Sequence, residues 1–516
     1  MNSVARVAAV SGSRFAHLEA SVSELQAEMS AGRLTAHALT ATYRGRIRSL
    51  DQRGPTVRSV VELNPDALDI AAALDQERRE HGPRGPLHGI PVLLKDNIAT
   101  ADRMQTTAGS LVLVGIKATR DAHLVKRLRE AGAVILGKTN LSEWANIRST
   151  RSTSGWSARG GLTRNPYALD RNTSGSSSGS AAAVTANFAT VAVGTETDGS
   201  IVSPSSINGL VGLKPTVGLV SRDGVIPISH TQDTAGPMTR TVADTAVLLS
   251  AMVGPDVRDS STKNAEPADY TQYLDATRLA KARLGVVRTH AAGHPGVKEV
   301  FDRALATLKA QGAVLVDPVE LKHTEKLEEA ELEVLLHELK AGLRTWFAEF
   351  APGAPVATLK ELIAWNELHR ANEMPWFEQE LFEKAESRGA LTSKKYLNAL
   401  ARCRRYARDE GIDAVLVEHK LDALVAPTSS PAWMTDLVNG DHHTDCFSSP
   451  AAVAGYPHLT VPAGLVHGLP VGLSFVGPAW SEPLLIGLGC SFEKAAQARR
   501  APTFAPSLSF TITDGE

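Results

Sequence analysis

The sequence has few cysteines, few aromatic residues, almost no net charge and no long hydrophobic run. Its 516 residues include three cysteines, Cys403, Cys446 and Cys490, which are too few and too far apart for a disulfide framework or a CxxC zinc knuckle. Aromatic residues make up 5% and the net charge is −2, so nothing indicates a nucleic-acid partner. No stretch of about 18 apolar residues occurs, so no membrane partner is expected.

The rest of the composition is that of a globular protein with a substantial core. Hydrophobic residues make up 43% and charged residues 21%, which excludes intrinsic disorder. The N-terminal stretch MNSVARVAAVSGSR has too short an apolar segment for a secretory signal. We therefore expect a cytoplasmic enzyme, with export as the alternative if a signal peptide has been removed. The sequence carries no signal for an oligomeric state.

Strand-like and helical patterns alternate along the chain, which predicts an α/β fold with a mixed central β-sheet flanked by helices. Residues 18–90 have helical spacing of apolar residues, and 91–240 alternate short apolar runs with helices. The range 266–418 contains long charge-laced stretches with few glycines or prolines, which predicts helices packed on the sheet. Apolar runs separated by Gly/Pro turns in 420–495 predict a return to the sheet. We interpret the whole chain, 1–516, as one domain.

The region with the strongest signs of catalysis runs from Asn172 to Pro204. A Gly/Ser-rich loop precedes an Ala-rich helix, a short strand follows, and a second small-residue turn ends in Gly199 and Ser200. Small residues allow backbone N–H groups to approach a reacting atom closely. The first loop also lies at a helix N-terminus, where the peptide dipoles favour developing negative charge. Either loop alone would be an ordinary cap or turn, but the two together predict a site.

Two different residues are candidates for the general base that would activate a serine in this region. The segment 175–179 matches G-x-S-x-G, the nucleophile elbow of α/β-hydrolases, with Ser177 as nucleophile and His458 as a candidate base. That elbow needs a preceding strand, whereas the residues before it are polar and turn-like. The other base is Lys95, which follows an apolar strand where desolvation would lower its pKa. For Lys95 taken alone, a strand-end lysine that reaches solvent is the simpler interpretation.

Three segments resemble the sequence motifs of the amidase signature family of serine hydrolases. They are GIPVLLKDNI around Lys95, GSSSGS around Ser176 and TETDGSI around Ser200. The resemblance implies a Ser–cis-Ser–Lys triad that hydrolyses amides through an acyl-enzyme, with Ser200 as nucleophile, Ser176 as bridge and neutral Lys95 as base. It also implies a single α/β domain and no cofactor or metal. The implied oxyanion hole consists of the backbone N–H groups of Thr197, Asp198, Gly199 and Ser200.

Several segments depart from the broad family pattern and resemble its bacterial peptide amidases, which release the C-terminal carboxamide of peptides as ammonia. Asp198 occupies a position where the family usually has glycine. Because a carboxylate in an oxyanion turn would oppose negative charge, we expect Asp198 to point away or to be hydrogen-bonded. The segments around Trp144 and Trp156 also resemble that branch. Their rings are candidate walls of a substrate groove, with core packing as the alternative.

Other functions remain open beside the hydrolysis of peptide carboxamides. The same catalytic residues would serve an aryl-acylamide, carbamate or small-amide hydrolase. The fold would also serve the amidase-like component of a tRNA-dependent amidotransferase, although the chain lacks a basic surplus. The joint presence of Lys95, Ser176 and Ser200 disfavours a non-catalytic binding module. The polar loop from Asp441 to Cys446 has metal-capable side chains without metal-ligand spacing, so no metal site is assigned.

Overall fold

One β-sheet of eleven strands organises the described part of the chain, residues 17–508 apart from 292 and 444, in a computed structural model. The N-terminal stretch MNSVARVAAVSGSR, for which no secretory signal is predicted, lies outside the described residues. The strands are β1 (Val60–Leu63), β2 (Pro91–Lys95), β3 (Val134–Thr139), β4 (Trp156–Ser157), β5 (Gly161–Leu162), β6 (Val191–Glu196), β7 (Val211–Lys214), β8 (Thr234–Thr239), β9 (Arg283–Val287), β10 (Val314–Val319), β11 (Ala423–Pro427), β12 (His458–Val466) and β13 (Leu469–Val476). Strands β4 and β5 form a separate two-stranded sheet.

The large sheet is mixed, as the sequence predicts. Its strand order is β1-β3-β2-β6-β8-β7-β12-β13-β11-β9-β10. Strand β2 runs parallel to β3 and β6, and β9 runs parallel to β10 and β11. The other pairs are antiparallel, including the β12–β13 hairpin, which lies in the range where Gly/Pro turns predict a return to the sheet. The α/β fold with a mixed central sheet is therefore confirmed.

Helices flank this sheet on both sides of its central strands. They are α1 (Val22–Ser30), α2 (Ala36–Arg46), α3 (Ala67–His81), α4 (His123–Glu130), α5 (Ser178–Thr185), α6 (Val202–Ile207), α7 (Val242–Met252), α8 (Pro295–Ala310), α9 (Thr324–Phe350), α10 (Leu359–Leu368), α11 (Arg370–Glu373), α12 (Glu380–Glu386), α13 (Lys394–Arg404), α14 (Asp413–His419), α15 (Ser449–Ala454) and α16 (Glu482–Ala496). None of the helices in the described residues combines the length and hydropathy that a membrane span requires.

The centre of the sheet is built from residues that are buried on every side. All five residues of β2 and all six of β6 are buried, which explains why both strands read as continuous apolar runs rather than as alternating patterns. Helix α5 packs against these strands, and its small side chains are all buried. Because β2 and β6 are neighbours, the residues at their carboxyl ends lie at one edge of the sheet, close to the start of α5.

The range 266–418, predicted to be helical, also contains two strands. Strands β9 and β10 lie at the far edge of the sheet, and most of β10 is exposed or half-buried, so its sequence lacks the apolar pattern of a central strand. Strand β1 likewise falls within the predicted helical range 18–90. Within the same range, residues 359–386 form three separate helices, α10, α11 and α12. Pro375, which cannot continue a helix, lies between α11 and α12.

Candidate active site

Lys95 is the last residue of β2, and its amine is sealed inside the protein. The side chain is 0% exposed, so the simpler interpretation of a lysine that reaches solvent is wrong. Burial lowers the pKa of Lys95 to about 7, while the more distant carboxyls of Glu196 and Asp233 oppose that shift. A substantial fraction of this amine is therefore neutral near neutral pH, which is the state a general base needs.

The hydrogen bonds of the Lys95 amine leave one direction for proton transfer. Its Nζ lies 3.2 Å from the carbonyl oxygen of Thr195 and 2.9 Å from the Thr195 hydroxyl, both of which accept hydrogen bonds from it. A neutral amine has two hydrogens and one lone pair, and these two acceptors take the hydrogens. The third neighbour is Ser176 Oγ at 2.7 Å. In the neutral state the lone pair therefore faces the Ser176 hydroxyl.

Ser176 is held in a tight loop just before α5. The peptide bond between Gly175 and Ser176 is cis, and Ser176 is fully buried. A Cβ atom at Gly175 would lie 2.1 Å from the hydroxyl oxygen of Ser142, so only glycine fits there. The next residue, Ser177, donates its hydroxyl to the carbonyl of Thr195 and accepts from the Thr195 N–H. The loop is thus fastened to β6, the strand beside Lys95.

Ser200 lies in the turn that follows β6. Gly199 has φ +74°, a left-handed conformation that favours glycine, and its missing side chain leaves space against Ser448. The Ser200 carbonyl accepts a hydrogen bond from the Ser177 N–H, which brings this turn against the Ser176 loop. The Ser200 hydroxyl makes no hydrogen bond to any described residue. Such bonds are often long before substrate binds and tighten in the reacting complex.

Four backbone N–H groups of this turn are unused. Those of Thr197, Asp198, Gly199 and Ser200 have no hydrogen-bond acceptor within residues 17–508 as described. The next two, of Ile201 and Val202, donate to the Glu196 carboxylate. Unpaired N–H groups clustered in one turn form a concave site for negative charge. The turn therefore has the donors that an oxyanion hole requires.

A cavity of about 640 Å³ opens beside these two loops. Its other walls come from the end of β9, the start of α9 and the segment between residues 433 and 450. The loop residues lining it are Ser174, Gly175, Asp198, Gly199 and Ser203. The volume is in the range of sites that enclose a small organic ligand. No lysine or arginine is among the lining residues that the structure describes, whereas four carboxyls are, those of Asp198, Glu325, Glu328 and Asp445.

The two tryptophans predicted as groove walls lie in packing contacts. Trp144 is 2% exposed and meets the rings of Phe347 and Phe382 edge-on, with centroids 6.5 and 5.9 Å away. Trp156 packs edge-on against Phe377 at 5.3 Å. Neither tryptophan is among the described residues that line the cavity. These positions match the alternative of core packing, and a substrate contact of either ring stays a prediction.

The residues of the alternative nucleophile elbow and of the polar loop from Asp441 to Cys446 make structural contacts. His458 is buried, its ring nitrogen Nε2 lies 2.7 Å from the Ser474 hydroxyl, and burial lowers its pKa to about 3. No hydrogen bond joins His458 to Ser177 among the described residues. In the loop, Asp441 accepts from the Ser154 N–H and Asp445 pairs with His290. Residues 17–508, as far as they are described, hold no group of three His, Cys, Asp or Glu side chains suited to a metal.

Sequence reasoning missed the residues that support the three predicted ones. Thr195 holds the lysine amine, and it also accepts from the Asn97 side chain at 2.9 Å. The turn is anchored by Thr197, whose hydroxyl donates to Asp233 at 2.6 Å and whose carbonyl accepts from Gln232. The available signal was the position of Thr195 and Thr197 inside the TETDGS motif, where alternate residues of a strand share a face. The partners Gln232 and Asp233 carry no such signal.

The lowered pKa of Lys95 predicts the pH dependence of catalysis. A lysine that acts as general base must be neutral, and a pKa below the usual lysine value means that this form of Lys95 accumulates as pH rises through about 7. We expect kcat/KM to rise about tenfold per pH unit below that pH, to level off above it and to decline only at more alkaline pH. The check is a profile of kcat/KM from pH 5 to 10. A rate that is flat below pH 7 would contradict a lysine base.

Comparisons with known proteins place the chain in a family. The family profile named Amidase matches residues 38–486. Over 504 residues the chain is 42% identical to a probable amidase of Arabidopsis thaliana, and the match covers 95% of this chain and 93% of the relative. The chain therefore belongs to the amidase family, and it is a hydrolase of carboxamide bonds.

Two further relatives differ in what their names describe. The X-ray structure of native peptide amidase from Stenotrophomonas maltophilia is 53% identical, with a TM-score of 0.91, over 95% of this chain and 100% of that one. One of the subunits of the glutamyl-tRNA(Gln) amidotransferase of Chloroflexus aurantiacus is 34% identical, over 92% of this chain and 96% of the relative. The family thus includes both free amidases and subunits of a larger enzyme.

Proposed function

We propose that this protein hydrolyses the C-terminal carboxamide of peptides through Ser200, Ser176 and Lys95. The observation that carries the proposal is the buried Lys95 amine 2.7 Å from Ser176 Oγ, next to Gly175, which lines the cavity. The likeness to a peptide amidase at 53% identity supports the substrate class. A second solved structure of a peptide amidase, also 53% identical, has the competitive inhibitor chymostatin bound.

In the first half-reaction, Ser200 Oγ attacks the carbonyl carbon of the amide. Its proton passes to Ser176 Oγ while the Ser176 proton passes to the lone pair of Lys95. The tetrahedral oxyanion is stabilised by the N–H groups of Asp198, Gly199 and Ser200, with that of Thr197 as the fourth predicted donor. Return of the proton through Ser176 to the leaving nitrogen breaks the C–N bond. Ammonia leaves, and an ester of Ser200 remains.

In the second half-reaction, water takes the place of the leaving amine. Lys95 accepts its proton through Ser176 as the water oxygen attacks the ester carbonyl. Collapse of the second tetrahedral intermediate breaks the C–O bond and returns the proton to Ser200 Oγ. The peptide acid is released with the enzyme in its starting protonation state. These steps use only side chains and backbone groups of this chain.

The competing substrate classes are separated by the size of the leaving group. A peptide amidase accepts a peptide on the acyl side and releases only ammonia, so we expect a higher kcat/KM for a peptide carboxamide than for an anilide with the same acyl group. Ammonia or aniline released by the isolated chain is the measurement. Faster hydrolysis of anilides or carbamates would favour the acylamide-hydrolase alternative. Activity that appears only with a partner protein would favour a role within an amidotransferase.

A further inference from the structure

The proposed mechanism gives the carboxyl side chain of Asp198 no role, although Asp198 lies in the catalytic turn of residues 197–200. It lines the cavity next to Gly199, in a turn proposed to stabilise an oxyanion. Its Oδ1 atom is buried and has no hydrogen-bond donor among the described residues. A buried carboxyl oxygen without a donor is costly unless a proton or a donor is supplied. The surroundings of Asp198 therefore have to provide one.

The neighbour that faces this carboxyl is Glu331 of α9. The side chains of Asp198 and Glu331 lie within hydrogen-bonding reach of each other. Glu331 is 6% exposed, and its Oε1 accepts from Gln232 Nε2 at 2.7 Å. The same Gln232 nitrogen lies 3.3 Å from the carbonyl oxygen of Thr197, to which it also donates. Glu331 thus contacts the catalytic turn at Asp198 directly and at Thr197 through Gln232.

Two ionised carboxylates cannot share such a contact, because both are acceptors only and carry like charge. A single proton between them turns one into a donor and leaves the pair with one negative charge. We infer that Asp198 and Glu331 share one proton, and that this proton makes Glu331 a positioning residue for the turn of residues 197–200. The role in turnover rests on the proposed function, whereas the shared proton does not.

The electrostatic surroundings agree with a retained proton. Burial raises the pKa of Glu331 well above its usual value, and the Asp198 carboxyl raises it further. Burial also raises the pKa of Asp198, against the hydroxyls of Ser448 and Ser449. The titratable groups that face the pair are Glu196 on β6, Lys214 on β7, Glu328 on α9, Cys403 on α13 and Cys446 before α15. Lys214 is the cation of this set, and burial lowers its pKa to about 8.

The shared proton explains how an aspartate can occupy this turn without strongly repelling the oxyanion. With one proton, the charge is spread over two carboxyls, and the Asp198 side chain is held by its partner. When that proton is lost at alkaline pH, two negative charges face each other beside the turn. Repulsion then moves Asp198 or its backbone, and displacement of a catalytic group by about 1 Å costs on the order of 100-fold in rate.

The test combines an infrared titration with a pH–rate profile. The C=O stretch of a protonated carboxyl differs from that of a carboxylate, so a difference spectrum of wild type minus Glu331→Gln reports the proton without any substrate. In Glu331→Gln and in Asp198→Asn an amide N–H takes the place of the shared O–H at the same total charge. Glu331→Ala removes the carboxyl that shares the proton and leaves Asp198 with the hydroxyls of Ser448 and Ser449 alone. Glu329→Gln, an exposed position of the same helix, is the matched control.

The expected results follow from the pair alone. The wild-type spectrum should contain a protonated carboxyl at neutral pH that Glu331→Gln lacks, and kcat should fall at alkaline pH as that band disappears. Glu331→Gln should keep kcat near the wild-type plateau and lose the alkaline decline, and Asp198→Asn should lose that decline at whatever plateau it retains. Glu331→Ala should lower kcat about 100-fold with little change in KM. Glu329→Gln should match the wild type.

Two results would overturn the inference. One is a difference spectrum, wild type minus Glu331→Gln, without the band of a protonated carboxyl at neutral pH. The other is an alkaline decline that persists unchanged in both amide variants, which would assign it to Lys214 or another group. Absence of hydrolysis of every amide in an enzyme that still has the carboxyl band would instead contradict the proposed function, so the two failures are distinguishable.

Discussion

Replacement of Ser200 by Ala is expected to lower kcat on carboxamides by on the order of 10⁴-fold or more, because no other group forms the acyl-enzyme. The fold should be unaffected, since the Ser200 hydroxyl makes no hydrogen bond to a described residue. The measurement is ammonia release at saturating peptide carboxamide, together with the thermal midpoint of unfolding. A trapped acyl-enzyme in the wild type, detected by mass spectrometry, should be absent from Ser200→Ala.

The matched control for this variant is Ser177→Ala. Ser177 is the nucleophile of the alternative elbow, and its hydroxyl is occupied by the carbonyl of Thr195. Its loss removes two buried hydrogen bonds to the Thr195 backbone, each of which contributes about 1 kcal/mol to the free energy of unfolding, but leaves the acyl-enzyme chemistry in place. The opposite pattern, with Ser200→Ala active and Ser177→Ala inactive, would reject the triad and restore the elbow.

Replacement of Lys95 by Ala is expected to lower kcat/KM by about 10²–10⁴-fold, because the proton of Ser176 then has no base to accept it. The remaining activity should no longer rise through pH 7, since the group responsible for that rise is gone. Comparison of kcat/KM at pH 6, 7 and 8 for wild type and variant tests both statements. A variant that keeps the wild-type pH dependence would show that another group titrates.

Lys138 offers a control for the removal of a buried amine. It is a fully buried lysine on the neighbouring strand β3, and its amine donates to the Ile98 carbonyl and the Thr106 hydroxyl rather than to a serine. Lys138→Met should change the free energy of unfolding but leave the rise of kcat/KM near pH 7 in place. Loss of that rise in both variants would point to damage of the sheet instead of loss of a base.

The sheet could be predicted from sequence where its strands are buried on both faces. The apolar runs of β2, β3 and β6 have one structural explanation, so their prediction was confirmed. Edge strands give a weaker signal, because half of their side chains face water, and β10 with its Asp317 and Pro318 was interpreted as part of a helical region. Helix ends were not predicted, since the predicted helical range 266–418 runs through Pro375, where the structure has no helix.

The candidate site could also be predicted only in part. Residues that belong to short motifs, such as Lys95 and Ser176, could be proposed from the sequence because the spacing and small neighbours are local. Glu331 and Gln232 could not, because their relation to the turn arises only when α9 and the segment before β8 pack against the end of β6. Trp144 and Trp156 show the converse limit, since nearness in sequence to a motif did not place either ring in the cavity.

The proposed catalytic residues and most of the cavity wall come from different parts of the chain, which affects how substrate preference can change in evolution. The three residues proposed for catalysis lie between 95 and 200, whereas most of the remaining wall comes from 287–328 and 433–450. Recombination or insertion in the later segments would alter substrate preference while the reacting groups are inherited together. Glu331 is the exception, because it contacts the catalytic turn from α9, the helix whose start forms part of that wall. A descendant that exchanges α9 would have to keep this glutamate, or replace Asp198 by glycine in the same lineage.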